Sequence, residues 1–199
     1  MILHLWPTPL YIGDEKVTDN LLDYCKKLKY NRMASDNGDM SENKFILNDL
    51  PDLKKKIALH CNTYLKDNLY VNNNSTFYFQ NSWIVRHNKG DYAQSHMHTN
   101  SLISGVYYVN VPKDSGNIIF QRENTNIFYP NINIEFDNIN TINSKEYTID
   151  VKEGMLLLFP SWLLHSVLEN LNNEIRYSLA FNLFVKGKYG KDEFELKVQ

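Results

Sequence analysis

Two cysteines and eight glycines are few for 199 residues, and the charges nearly cancel, with 21 Lys and Arg against 23 Asp and Glu. Cys25 and Cys61 fall on apolar faces of expected helices without motif spacing, so they read as small core residues in a reducing cytoplasm rather than a disulfide framework. A net charge of −2 gives no electrostatic footprint for nucleic acid. The longest basic run, Lys54-Lys55-Lys56, lies on an expected helix and reads as a solvated face. No apolar run approaches the roughly 18 residues a spanning helix needs, so no membrane partner is expected. Met1 to Pro7 is apolar but short, lacks a basic leader and is broken by Pro7 and Pro9, which argues against a signal peptide. A soluble, cytoplasmic protein is expected.

A hydrophobic share of 43 % suffices for one globular domain over residues 1–199. Its pattern divides in two. Leu21, Leu22, Cys25 and Leu28 recur at helical spacing, as do Leu53, Ile57, Cys61, Tyr64 and Leu65 after Pro51, which suits a first helical turn. The helical part covers about 15–70 and a β core about 76–185. Strands are expected at Thr76–Arg86, Leu102–Val109, Asn117–Phe120, Tyr147–Val151, Met155–Phe159 and Ile175–Val185, short aromatic and β-branched runs between Gly, Pro, Asp and Asn turns. Many strands without intervening helices predict a mainly β (α+β) jelly roll, with the leading helices packed on one sheet. The Asn-rich stretch from Asn124 to Asn143 is a long excursion, either a lid over the barrel mouth or a plain surface loop.

The chemistry centres on His96-Met97-His98, placed by the pattern at the start of a strand that runs through Ser104-Gly105 into Val106–Val109. Histidines at i and i+2 of a strand share a face and can grip one metal. His165 follows the Leu156–Phe159 run after a Pro160-Ser161-Trp162 turn, and a jelly roll brings such distant strands together. Scattered structural histidines are the alternative, but half of the chain's six histidines lie in this constellation. If Ile175–Val185 is a strand, Arg176, Ser178, Ala180 and Asn182 share the site face while Tyr177, Leu179, Phe181 and Leu183 share the core face. An arginine facing a barrel interior needs an anion, and its planar fork suits a carboxylate, with the Ser178 hydroxyl as a further donor. An internal ion pair is the alternative. Asp91, Asp114 and Glu123 are nearby carboxylates without first-choice ligand spacing. Gln94 and Arg122 are either substrate contacts or surface groups, and Trp83 and Trp162 either line the mouth or fill the core, the core being the expectation for large aromatics on strands.

The segment His96-Met97-His98-Thr99-Asn100-Ser101-Leu102-Ile103-Ser104-Gly105-Val106-Tyr107-Tyr108, followed by Phe159 through Val167 and then Arg176-Tyr177-Ser178, resembles the iron(II)- and 2-oxoglutarate-dependent dioxygenases. The likeness is greatest to a bacterial and phage branch with an H-x-H motif. It runs from about Trp83 to Phe184, with a weaker match at Leu5–Leu10. The resemblance implies a double-stranded β-helix, Fe(II) held by His96, the residue at 98 and His165, and 2-oxoglutarate held through its far carboxylate by Arg176 and Ser178. Tyr108 is carried over as a further contact to that carboxylate, and Asn182, on the same expected face, borders the cosubstrate. The implied reaction is oxidative decarboxylation of 2-oxoglutarate by O2, coupled to hydroxylation of an unidentified small molecule or peptide.

The family's usual triad is two histidines and a carboxylate, yet position 98 is a histidine. Three neutral imidazoles leave Fe(II) with a local charge of two, which a 2-oxoglutarate dianion would neutralise. Three histidines with an open position also form a known zinc arrangement. A cupin-like tri-histidine zinc or iron enzyme that uses no 2-oxoglutarate, or a non-catalytic metal-binding jelly roll, therefore stays open, as does a homodimer.

Overall fold

The computed structural model describes residues 7–34, 37–122, 134–190, 193 and 195–198. After β1 (Tyr11–Asp14) and α1 (Leu21–Lys27), the chain forms a hairpin of β2 (Tyr30–Arg32) and β3 (Asp39–Ser41). α2 (Ile46–Asp49) and α3 (Pro51–Asn62) follow, the latter with Pro51 in its first turn, and a π turn over Thr63–Asn68 extends it. The remainder is β: β4 (Thr76–His87), β5 (Ala93–His96), β6 (Ile103–Asn110), β7 (Ile118–Gln121), β8 (Glu146–Ile149), β9 (Met155–Pro160), β10 (His165–Val167), β11 (Arg176–Tyr189) and β12 (Leu196–Val198).

The larger sheet has the order β1-β9-β6-β11-β4-β3-β2, with β12 on β11, and the smaller has the order β5-β10-β7-β8. This double-sheet jelly roll agrees with the expected class. The hairpin β2–β3, inside the stretch read as helical, extends the larger sheet past β4. β5 and β10 were also not foreseen as separate strands.

Alternation along the central strands divides the interior in two. Ile84, Tyr107, Leu156, Leu158, Leu179 and Phe181 face the helices, packing with Leu21, Ile57, Cys61 and Tyr64. Tyr108, Leu157 and Phe159 point the other way, into the space between the sheets, with Ile118, Phe120 and Ile149. β9 is therefore buried on both faces, and its unbroken apolar run Met155-Leu156-Leu157-Leu158-Phe159 follows from having no solvent side. Each such fully buried leucine is worth about 2 kcal/mol over an exposed one, so the strand is a rigid support for the turn that follows it.

The Asn124–Asn143 segment lies outside the described residues through 133. From 134 to 143 it is largely exposed, and Asn side chains organise it: Asn143 Oδ1 accepts from the Asn140 amide and Asn143 Nδ2 donates to the Asn138 carbonyl. Among the described residues no helix is long and apolar enough to cross a membrane.

Candidate active site

The H-x-H segment is not one strand. His96 ends β5, whereas His98 lies in the connection to β6, so the two rings do not converge by strand alternation. The β9–β10 turn positions His98 instead. The Ser161 carbonyl accepts from the His98 amide at 2.9 Å, and the Ser161 amide donates to the Leu102 carbonyl at 3.0 Å. Asn100 takes a positive φ of 55° in this tight connection, a conformation Asn tolerates better than most residues. His165 opens β10 and is the direct register partner of His96 across the β5–β10 pair. Phe159 packs edge-on against its ring at 4.9 Å.

The three rings meet. One nitrogen from each of His96, His98 and His165 lies within 4.8 Å of the other two, a group that could hold a metal ion. Their Nδ1 atoms all face oxygens: Gln94 O at 2.7 Å for His96, Leu163 O at 2.9 Å for His165, and Asn182 Oδ1 at 2.7 Å for His98. Backbone carbonyls only accept, so Nδ1 of His96 and His165 carries the proton. The Asn182 amide is oriented by its Nδ2, which donates to Asn81 Oδ1 at 2.9 Å, so its oxygen faces His98. With Nδ1 engaged in each ring, Nε2 is the atom each can offer to a metal, the arrangement that partners of ligating histidines typically impose. Burial lowers the His98 pKa, and burial with His96 nearby pushes His165 down to about 3, keeping both neutral near pH 7.

Asn182 therefore orients the His98 ring. Ser104 Oγ lies 2.8 Å from both His98 Nδ1 and Asn182 Oδ1, and joins Ser161 Oγ at 2.8 Å. A buried polar network thus stands behind the His98 ring.

From the histidines a cavity of about 100 Å³ extends between the sheets to Arg176. The register explains its wall. Arg176, Ser178 and Ala180 of β11 pair with His87, Val85 and Trp83 of β4, and all six face the cavity. Tyr108 of β6, the partner of Ser178, faces it from the other side. Trp83 thus lines the cavity, its ring 5.9 Å from that of His98, and Trp162 is exposed; neither belongs to the core.

Arg176 is 2 % exposed. Among the described residues no carboxylate pairs with it, so an internal ion pair does not account for its burial. One guanidinium nitrogen donates to the Gly116 carbonyl at 3.1 Å, while Nε is sealed from solvent without a partner among the described residues. The group lies 5.1 Å from the Tyr108 ring centroid, and the Tyr108 hydroxyl also lacks a hydrogen bond of good geometry. Burial lowers the Arg176 pKa and raises that of Tyr108 to about 12, each partly offset by the other group. A buried cation beside orphaned donors suits an anion.

The remaining candidates lie elsewhere. Asp91 is engaged by Arg32 at 2.6 Å and by Asn88, Asp114 takes a positive φ in the β6–β7 turn, and Glu123 lies outside the described residues. Arg122 donates to the Thr141 carbonyl at 3.3 Å, and Gln94 is exposed, its carbonyl serving His96. His87 was missed by sequence reasoning. Its signal was periodicity: it continues the Trp83, Val85 alternation one residue past the expected end of the strand.

Residues 81–182, just over half of the chain, match the model of a family described as "Putative 2OG-Fe(II) oxygenase". Among solved structures, HygX from Streptomyces hygroscopicus with nickel and 2-oxoglutarate bound superposes with a TM-score of 0.60 at 11% identity, covering 88% of this chain and 82% of that one. The non-heme alpha ketoglutarate dependent epimerase SnoN from nogalamycin biosynthesis gives 0.61 at 13%, covering 92% and 79%. A Pseudomonas putida prolyl-4-hydroxylase gives 0.51 at 15%, covering 88% and 92%. These likenesses are of fold. No curated protein sequence matches the chain.

Proposed function

The chain belongs to the 2OG-Fe(II) oxygenase family, and from that membership and the geometry of its cavity we propose that it hydroxylates a small molecule or peptide, with His96, His98 and His165 as metal ligands and Arg176 as cosubstrate anchor. The net reaction converts R–H, 2-oxoglutarate and O2 to R–OH, succinate and CO2. Fe(II), when bound, supplies the activation of O2 and the oxidation of the cosubstrate.

The observation that carries this reading is the buried Arg176, without an anionic partner among the described residues, in the same cavity as three converging imidazoles. A keto acid with a second carboxylate offers a group to each end of that cavity: its keto acid end to the histidine face and its distal carboxylate to the guanidinium. Charge agrees too. Three neutral imidazoles cancel none of the charge of Fe(II), so a dianionic cosubstrate is favoured at the metal end while Arg176 pairs with the distal end.

The chain's own residues do the positioning. Asn182 and Ser104 hold the His98 ring, the Gln94 and Leu163 carbonyls hold His96 and His165, and Tyr108 and Ser178 flank the guanidinium. Val85, Val106 and Ala180 keep the intervening wall apolar, which limits water around the cosubstrate. Met97, Leu102 and Trp162, in the segments next to the histidines, are 48, 42 and 56% exposed, an apolar rim suited to a substrate with apolar surface.

The test is succinate and CO2 formation from 2-oxoglutarate by protein loaded with Fe(II), in air and under nitrogen. The expected result is O2-dependent succinate with Fe(II) and none with Zn(II). Absence of succinate from protein shown to hold Fe(II), across a library of candidate substrates, would overturn it.

A further inference from the structure

One buried polar side chain on the cavity wall has no task in this scheme. His87 ends β4, is 3 % exposed, and its Nε2 is sealed from solvent without a hydrogen-bond partner. It lines the same cavity as Arg176 and Tyr108. Because Arg176 and His87 are direct register partners, their side chains leave neighbouring antiparallel strands on the same face with Cβ atoms about 5 Å apart. Among the described residues, four buried side-chain polar atoms lack partners: His87 Nε2, Arg176 Nε, Tyr108 Oη and Ser115 Oγ. Three of the four come from adjacent strands β4, β11 and β6 and line one cavity.

Such a cluster is costly unless something fills it. An unsatisfied buried polar group costs about 1–3 kcal/mol, and three around one cavity point to a shared polar ligand rather than to three separate defects. The acceptor must also be anionic, because Arg176 brings the one positive charge among the three. Gly38, in the turn of the β2–β3 hairpin, packs against the His87 ring. A Cβ on Gly38 would come within 2.6 Å of His87 Cδ2 and 2.7 Å of Nε2, so only glycine lets the hairpin approach this edge of the ring. Glycine offers no side chain to satisfy Nε2 there.

We infer that His87 is a third donor of the carboxylate seat, giving its Nε2 proton to the distal carboxylate of 2-oxoglutarate beside the Arg176 guanidinium and the Tyr108 hydroxyl. The inference rests on the proposed cosubstrate. A neutral imidazole suits this place: it adds a hydrogen bond without setting a second cation against Arg176. Burial and Arg176 hold the His87 pKa down to about 4, so the ring enters the site uncharged. The role predicts selectivity, since only a 2-oxo acid with a second carboxylate at the right distance engages His87.

The experiment measures binding of 2-oxoglutarate and of 2-oxobutyrate, which lacks the distal carboxylate, to the Mn(II)-loaded protein by calorimetry. Wild type, His87→Phe and His87→Asn are compared, and Mn(II) affinity is measured in each to show that the metal end is intact. The expected result is a loss of about 10- to 100-fold in 2-oxoglutarate affinity for His87→Phe, with 2-oxobutyrate unchanged and partial recovery in His87→Asn, which keeps an N–H donor. Equal weakening of both ligands would assign His87 a structural role, and unchanged 2-oxoglutarate affinity would remove it from the seat. Failure of the wild type itself to bind 2-oxoglutarate would instead refute the proposed cosubstrate, and His87 with it.

Discussion

Replacing Arg176 by methionine should move stability and cosubstrate affinity in opposite directions. The guanidinium is 2 % exposed, and among the described residues it has no carboxylate partner and makes one hydrogen bond, to the Gly116 carbonyl. Without cosubstrate it is therefore a buried charge compensated only by that carbonyl and the Tyr108 ring. Methionine fills much of the same volume with an apolar chain. Exchanging a poorly compensated buried charge for apolar volume gains about 2–3 kcal/mol, and losing one hydrogen bond returns about 1. The metal-free variant should thus be more stable by about 1–2 kcal/mol, raising Tm by roughly 2–8 °C for a chain of this size. In the loaded protein the distal carboxylate loses a charge-assisted partner worth about 3–4 kcal/mol, so 2-oxoglutarate should bind about 100- to 1000-fold more weakly. Urea and thermal unfolding of the metal-free protein give the first quantity, and calorimetry with Mn(II) gives the second. An Arg176→Met variant destabilised by several kcal/mol, with cosubstrate affinity intact, would show that the arginine is structural and would refute this reasoning.

Three further outcomes follow from particular contacts. Asn182→Ala frees the His98 ring and should weaken Mn(II) or Fe(II) binding about 10- to 100-fold in a metal titration; unchanged affinity would remove Asn182 from the ligand's support. Gly116→Ala should cost at least about 2 kcal/mol in urea unfolding, because φ is +91° and the new Cβ would lie 2.1 Å from the Leu168 carbonyl oxygen. Stability of the metal-free protein should fall with acid in two stages. His87 and His165 have folded pKa values of about 4 and about 3, below the unfolded value near 6.5, so the unfolded state takes up protons first and stability drops by roughly 2 kcal/mol for each by pH 5. For Asp39 and Asp91, burial alone would raise the pKa, but hydrogen bonds from Arg32, Arg86 and Asn88 outweigh it and hold both below the usual carboxylate value. Their contribution is present above that value and is lost as pH falls through the depressed ones. Equal stability at pH 7 and pH 5 would contradict the first stage.

The sequence made the larger sheet legible because its strands are long and doubly constrained. β4, β6 and β11 alternate between the helix-facing core and the cavity, and β9 is apolar throughout, so period and composition agree. Arg176 and Ser178 could be placed on one face for the same reason. β5 and β10 were hidden because Ala93-Gln94-Ser95-His96 and His165-Ser166-Val167 are too short and too polar to show a period. That concealment produced the error at His98, which was read as strand-borne and is held by the Ser161 carbonyl across the β9–β10 turn. Asn182 was placed on the correct face, but its partner could not be read, because the network through Ser104 and Ser161 joins strands far apart in sequence. His87 lay one residue beyond an expected strand end, where a lone histidine gives no pattern of its own.

A cavity that holds a metal and a keto acid together should show the two as one chromophore. Anaerobic addition of Fe(II) and then 2-oxoglutarate to the metal-free protein tests it most directly. A visible charge-transfer absorption is expected that needs both additions, saturates with 2-oxoglutarate, and requires about 100- to 1000-fold more of it in Arg176→Met. No such band in protein shown by metal analysis to hold Fe(II) would contradict the account.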